Sequence, residues 1–316
     1  MDLMQAHYGT VMKAFCDSRV VPFFGAGVNL CDRPSSGHWQ DNGYLPSGTE
    51  LSEHLAANFN YQPSDSTPDR CPKCQEEVHI VGVRERRDLT RVSQYVSLDS
   101  GLGPLYEELH NVFVPDGGAK KYPTTSLHRF FAGLRAALRE RNYPRQSHDP
   151  SRSHMVIITT NYDDVLETAF NDIGQPYHVV SYMAEATKNR DEDQPLRWKQ
   201  GQCLHWPPDG GPPQVVDKPN VYQGLNADNH PVIVKIHGAV DRNNPDHDSF
   251  VITEDHYIDY LTRSDISNLL PAPLPAALRR SNFLFLGYGL RDMNLRVILH
   301  LIRRERVLSY KSWAIQ

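Results

Sequence analysis

"VVPFFGAGVN", residues 20–29, runs five apolar positions straight into Gly25, Ala26 and Gly27. A short run of β-branched and aromatic residues reads as a buried strand. The glycines mark a turn in which the backbone can bend sharply and another segment or a ligand can approach closely. Such a turn either holds the phosphates of a nucleotide or simply closes a buried strand. The dinucleotide fingerprint needs a third glycine at position 30, where this chain has Leu30, and no second strand ends in an acid roughly 20 residues later. No Gly-Lys-Ser/Thr follows either, so a phosphate would have to be met by backbone amides without either signature.

Three later segments repeat the pattern of apolar strand followed by polar turn: "HMVIITTNYDD" (154–164), "VIVKIHGAV" (232–240) and "NFLFLGYGLRDMNLRVILHLI" (282–302). Between them, helical spacing occurs at Leu3, Met4, Val11, Met12 and Phe15, and over 50–58, 104–113 and 126–140, with a further helix from about Asp164 to Phe170. Short apolar strands alternating with helices predict an α/β fold: a Rossmann-like parallel sheet flanked by helices, with a smaller, mainly helical subdomain from insertions within 50–150. Residues 60–95 mix proline, cysteine and dense charge and read as an insertion. Residues 184–230 are rich in Pro, Gly, Asn and Asp and predict a long loop insertion near the site. The whole chain, 1–316, reads as one such domain.

A formal net charge of −5 over 316 residues gives no general attraction to nucleic acid or anionic membrane, so direct binding to either is not expected. No apolar run approaches the ~20 residues of a spanning helix, and "MDLMQAHYGT" lacks a signal-like core, which predicts a cytoplasmic protein. Five cysteines, Cys16, Cys31, Cys71, Cys74 and Cys203, form an odd set that suits a reducing compartment. "CPKC" at 71–74 is half of a zinc site at most, and no metal is expected. The chain ends in the strand-like "SYKSWAIQ", which suggests a segment of a longer protein.

In an open parallel sheet, ligands sit outside the carboxyl ends of the strands. Four strand ends here finish in unusual chemistry. Asn161 can both donate and accept, as a residue holding a water or a ribose hydroxyl must, and Asp163 can support it or cap the next helix. His237 leaves a buried strand beside Gly238 and is placed either as a core histidine or as a general base. Asp292 either caps a helix or touches a ribose; Tyr288 either stacks on a base or packs as a core aromatic.

"GAGVN" (25–29), "TTNYD" (159–163), "KIHG" (235–238) and "FLGYGLRD" (285–292), in this order, resemble the Sir2-like (sirtuin) superfamily, and within it the bacterial Sir2-like domains of anti-phage defence. The resemblance implies a Rossmann-like sheet binding NAD+ as substrate. Gly25, Ala26 and Gly27 would face the pyrophosphate, with Asn29 and Thr160 beside them; Gly287, Tyr288, Gly289 and Asp292 would line the adenosine side. Asn161 would orient the water or the nicotinamide ribose, Asp163 would support that pocket, and His237 would be the base. Asn29 stands where the family usually has serine, and no four-cysteine zinc module follows His237. The arginine-bearing loop of deacetylases is missing unless Arg33 fills its place. Without the module that shapes an acyl-lysine groove, water becomes the expected acceptor. The expected activity is therefore NAD+ glycohydrolysis giving nicotinamide and ADP-ribose, switched on during phage infection. Protein deacylation or ADP-ribosyl transfer, and non-catalytic sensing of NAD-derived nucleotides, are the alternatives. The family further implies a homo-oligomer and a companion such as a HerA-like ATPase, a short Argonaute or a fused sensor domain.

Overall fold

The computed structural model describes residues 3–35, 38–63, 85–143, 155–187, 197–262, 270–288 and 312–315. Its strands are β1 (Val20–Phe24), β2 (Val156–Thr159), β3 (His178–Tyr182), β4 (Cys203–Trp206), β5 (Gln214–Val216), β6 (Val232–Lys235), β7 (Asn282–Leu286) and β8 (Ser312–Ile315). They form a single sheet in the order β5-β4-β3-β6-β2-β1-β7-β8. Every pair from β3 to β8 across the middle is parallel; β4 pairs antiparallel with β3 and with β5, and the β4–β5 hairpin forms one edge. This is the α/β, Rossmann-like arrangement expected.

The described helices are α1 (Leu3–Cys16), α2 (Trp39–Asn42), α3 (Gly48–Asn58), α4 (Leu89–Asp99), α5 (Leu102–Phe113), α6 (Ser126–Glu140), α7 (Val165–Asp172), α8 (Glu254–Thr262) and α9 (Pro273–Arg279). All five residues of β1 are buried, which a central strand covered on both faces requires. Successive side chains go to opposite faces: Val20 and Phe24 join a core with Phe131 of α6 and Phe170 of α7, whereas Val21 and Phe23 join one with Leu274 and Leu278 of α9. Pro22 cannot donate to a ladder; it precedes the first β1–β2 pair, Phe23 with Ile158. A third core unites α3, α4 and α5 with Tyr162, Val165, Val240 and Phe250, residues that follow the carboxyl ends of β2 and β6.

β1 lies between β2 on one side and β7 on the other, so chain order reverses there. That reversal opens a crevice at the carboxyl ends of the strands, and the Gly25–Gly27 turn sits at its centre.

Two differences from the sequence reading have plain causes. The run 232–240 stops being strand at Lys235, because Gly238 takes φ +89 and turns the chain away. The segment 184–230 is not all loop: Cys203–Trp206 and Gln214–Val216 add the antiparallel edge to β3, a strand whose apolar and polar residues carried no clear pattern. Among the described residues no helix is long and apolar enough to cross a membrane.

Candidate active site

The turn after β1 is held by the exit of β7. Gly25 N–H donates to Leu286 O and Gly27 N–H to Gly287 O, each at 3.0 Å. The backbones touch: a Cβ on Gly27 would lie 2.7 Å from Gly287 Cα, and one on Gly287, at φ +67, would lie 2.4 Å from Val28 N. Glycine is required here by this close approach, and two of the turn's amides already have protein acceptors. The chain then coils into a single 3-10 turn, Ala26–Leu30, which delivers Asn29 into the interior at 5% exposure.

Asn29 Nδ2 donates to Asp163 Oδ2 at 2.8 Å. Asp163 Oδ1 in turn accepts from Val165 N–H at 3.1 Å and so caps α7. Both carboxylate oxygens are thereby engaged. Only the NH2 end of an amide can donate to a carboxylate, which fixes the orientation of Asn29. Its Oδ1 is buried and has no hydrogen-bond partner among the described residues.

Asn161 follows the same rule. Its Nδ2 donates to Gly25 O at 3.2 Å and its backbone N–H to Thr159 Oγ1 at 3.0 Å. The amide end is thus occupied and Oδ1 is left to accept. Thr160 Oγ1 lies 2.6 Å from Tyr288 OH, joining the exits of β2 and β7. The Tyr288 ring packs edge-on against Phe23, with centroids 5.3 Å apart, so it belongs to the core as well as to the cavity wall.

His237 is 4% exposed. Its carbonyl accepts from Val251 N–H at 2.8 Å, and its ring meets Tyr257 of α8 at 5.5 Å in a T-shaped contact. Gly238 is pinned behind it: a Cβ there would lie 2.0 Å from Ser249 O. Burial pushes the His237 imidazole down to about 3, so it is neutral at physiological pH.

Ala26, Asn29, Thr160, Asn161, Asp163, His237, Gly287 and Tyr288 all line one cavity of about 210 Å³, closed by Ser47, Gly48 and Leu51 of the α3 entry and by Phe113 and Tyr257. Gly289 and Asp292, and with them the Cys71–Cys74 pair, lie outside the described residues. A larger hollow of about 750 Å³ opens beside α7 and the β4–β5 hairpin, lined by Glu167, Trp206 and Arg242 among others. It contains none of Asn29, Asn161 and His237, and its Asp164 and Asp241 are bonded to Arg242 and His247. The smaller cavity, with its convergent polar groups, is the better candidate for chemistry.

Residues outside the expected set of site residues hold this site in place. Lys235, 2% exposed, donates through Nζ to the Asp163 carbonyl and pairs with Glu167 Oε1 at 2.9 Å. A lysine inside the apolar run "VIVKI" was the available signal, since a buried ammonium needs a partner. Arg33 makes two bonds to Glu50, at 2.7 and 2.6 Å, and Glu50 completes a capping box with Ser47 at the start of α3. Arg33 is therefore a clasp between the glycine-turn segment and α3. Among the described residues, no three His, Cys, Asp or Glu side chains gather as a metal site.

A family model described as the SIR2-like domain matches residues 155–315, a span that runs from β2 to β8 and includes Asn161, His237 and Gly287. No curated protein matches the chain.

Proposed function

The chain belongs to the SIR2-like domain family, and on that premise we propose that it hydrolyses NAD+: water replaces nicotinamide at the ribose C1′, giving nicotinamide, ADP-ribose and a proton. Membership supports an NAD-using enzyme; the choice of water as acceptor is our reading of the cavity.

The observation that carries it is the lining. Asn29 and Asn161 both spend their NH2 groups on the protein and keep Oδ1 as an acceptor, and His237 beside them is a neutral imidazole. An acceptor-lined hollow with the Asp163 carboxylate in its wall suits a group that is cationic before bond cleavage, at the nicotinamide ring, and cationic during it, at the ribose. The Asp163 carboxylate behind Asn29 polarises that amide and strengthens Oδ1 as an acceptor. Asn161 Oδ1 would hold the ribose hydroxyl or the attacking water, and His237 would take the proton that the water loses.

The physiological extension of this reading is depletion of cellular NAD+ during phage infection, gated by self-assembly or by a companion such as a HerA-like ATPase or short Argonaute. The test is direct. Purified protein is incubated with NAD+, alone and with a companion, and nicotinamide release is followed. Release that disappears in Asn161→Ala and His237→Ala supports the assignment. Release unchanged in both variants, or product formed only with an acyl-lysine peptide, overturns it.

A further inference from the structure

We infer that His110 and Asp248 are positioning residues for His237: the bond between them ties the strap of chain on which the His237 backbone rests to helix α5. The inference rests on the proposed cleavage of NAD+ and assigns the parts that set where its base stands.

The contacts run outward from the base. Residues 237–239 and 249–251 lie side by side, with Val251 N–H donating to His237 O at 2.8 Å and Ser249 N–H to Ala239 O at 3.0 Å. The strap 248–251 therefore sets the position of the His237 backbone, and the close approach of Gly238 to Ser249 O leaves no slack between them. Phe250 buries the strap: it is 0% exposed, and its ring meets Tyr106, Tyr162 and Phe113 at 5.0, 5.2 and 6.3 Å. Apolar packing is non-directional, so it covers the strap without fixing its register. Hydrogen bonds do that.

Asp248 opens the strap and is buried. Its Oδ1 accepts from Asp241 N–H at 2.7 Å, which closes the loop between the paired segments, and its Oδ2 meets His110 Nδ1 at 2.7 Å. Among the described residues, His110 is the one side chain bonded to Asp248. About one helical turn earlier on α5, Tyr106 OH donates to Phe250 O at 3.3 Å. Tyr106 and His110, four residues apart, meet the strap from one face of α5. Of these two contacts the His110–Asp248 bond is the shorter, and its carboxylate acceptor makes it the stronger.

Neither His110 nor Asp248 lines the cavity, so both act through the backbone of His237. Proton transfer from an attacking water depends steeply on where the base stands: a displacement of about 1 Å costs on the order of 100-fold in rate. Substrate binding rests on other residues and is spared.

The experiment measures kcat and KM for nicotinamide release and, in the same proteins, the NMR signal of the His237 ring, assigned by its loss in His237→Gln. His110→Ala should lower kcat about 10- to 100-fold, leave KM within about twofold and shift the ring signal. His110→Asn, whose amide NH2 can donate to Asp248 as Nδ1 does, should bring kcat to within about threefold of wild type and return the signal. A thermal midpoint above the assay temperature shows that each variant is folded. Where the unpaired Asp248 carboxylate unfolds His110→Ala, the double variant with Asp248→Ala removes that buried charge and should show the same changes in kcat and signal. A folded variant lacking the bond that keeps wild-type kcat or an unmoved His237 signal overturns the inference and leaves the hydrolase reading intact, as does failure of His110→Asn to restore them. If the wild type releases no nicotinamide, the hydrolase reading fails and the ring signal alone decides: moved by His110→Ala and returned by His110→Asn, it upholds the pair, and any other result overturns it.

Discussion

Lys235 Nζ lies 2.9 Å from Glu167 Oε1 and also donates to the Asp163 carbonyl, so one buried ammonium ties β6 to the loop carrying Asn161 and to the first turn of α7. Removing one partner of a buried pair leaves the other charge uncompensated, at a cost of about 3–5 kcal/mol. Lys235→Met should lower stability to urea by that order and should also reduce nicotinamide release, because the Asn161 loop loses its tether. Lys235→Met combined with Glu167→Leu should recover most of the stability and little of the activity. Denaturation midpoints and initial rates on the same three proteins check this.

The buried histidines set an acid limit on stability. Burial pushes His178 and His205 down to about 4 and His237 to about 3, each from an ordinary value near 6.5. A group with a depressed folded value binds its proton more readily in the unfolded chain. Their contribution is therefore complete above pH 6.5 and is lost as pH falls from there toward 4. Each proton taken up costs about 1.4 kcal/mol per pH unit. Asp248 acts in the opposite sense, because burial pushes it up to about 6; it softens the loss between about 6 and 4 without reversing it. Thermal midpoints measured from pH 8 to pH 4 should be flat at first and then fall steeply.

Catalysis should show no limb at the ordinary histidine value. With His237 held neutral down to about 3, kcat between pH 8 and 6.5 should not decline through protonation of the base. A decline centred near 6.5 in nicotinamide release, in protein that stays folded, would show that His237 is not the base or is more solvated than its burial implies.

Gly238 is a point of mechanical fixation for His237. At φ +89, with a Cβ placed 2.0 Å from Ser249 O, it tolerates no side chain. Gly238→Ala should cost at least about 1–3 kcal/mol and shift His237, with loss of activity beyond the loss of stability. Gly9, within α1 and with no atom near its would-be Cβ, is the control: Gly9→Ala should gain about 0.5–1 kcal/mol and leave turnover unchanged.

Glu50 reports on the clasp over the cavity. Its bonds to Arg33 hold the carboxyl down to about 2, and Ser47 and Gly48 beside it close the cavity wall. The depressed value means that this contribution is present above about pH 4.5 and disappears as pH falls toward 2. Glu50→Gln weakens both the ion pair and the capping box. It should raise KM for NAD+ several-fold with a smaller change in kcat, since it loosens a wall without touching the groups assigned to chemistry.

The strand ends were legible because each announces itself locally: an apolar run of four or five residues, then glycine, asparagine or histidine where the chain leaves the sheet. Asn161, Asp163 and His237 were found this way, and the structure brings them into one cavity with Asn29 and Tyr288. The partition of Asp163 between cap and site was not legible, because it depends on which of its oxygens meets Val165 and which meets Asn29, a contact across 134 positions of sequence. Lys235 and Glu167 were passed over for the same reason: each looks ordinary until its partner is beside it. β3 and the β4–β5 hairpin were missed because strands of three to five residues carry too little periodicity to separate from loop.

The order of strands also fixes when the site can exist. The turn at Gly25 is complete only when Leu286 and Gly287 accept its amide protons, and the cavity has no wall on that side until Tyr288 has left the ribosome. Residues 1–280 of a growing chain contain Asn29, Asn161 and His237 and still cannot assemble the pocket. A growing chain therefore gains this pocket only when β7 and the turn after it have joined β1.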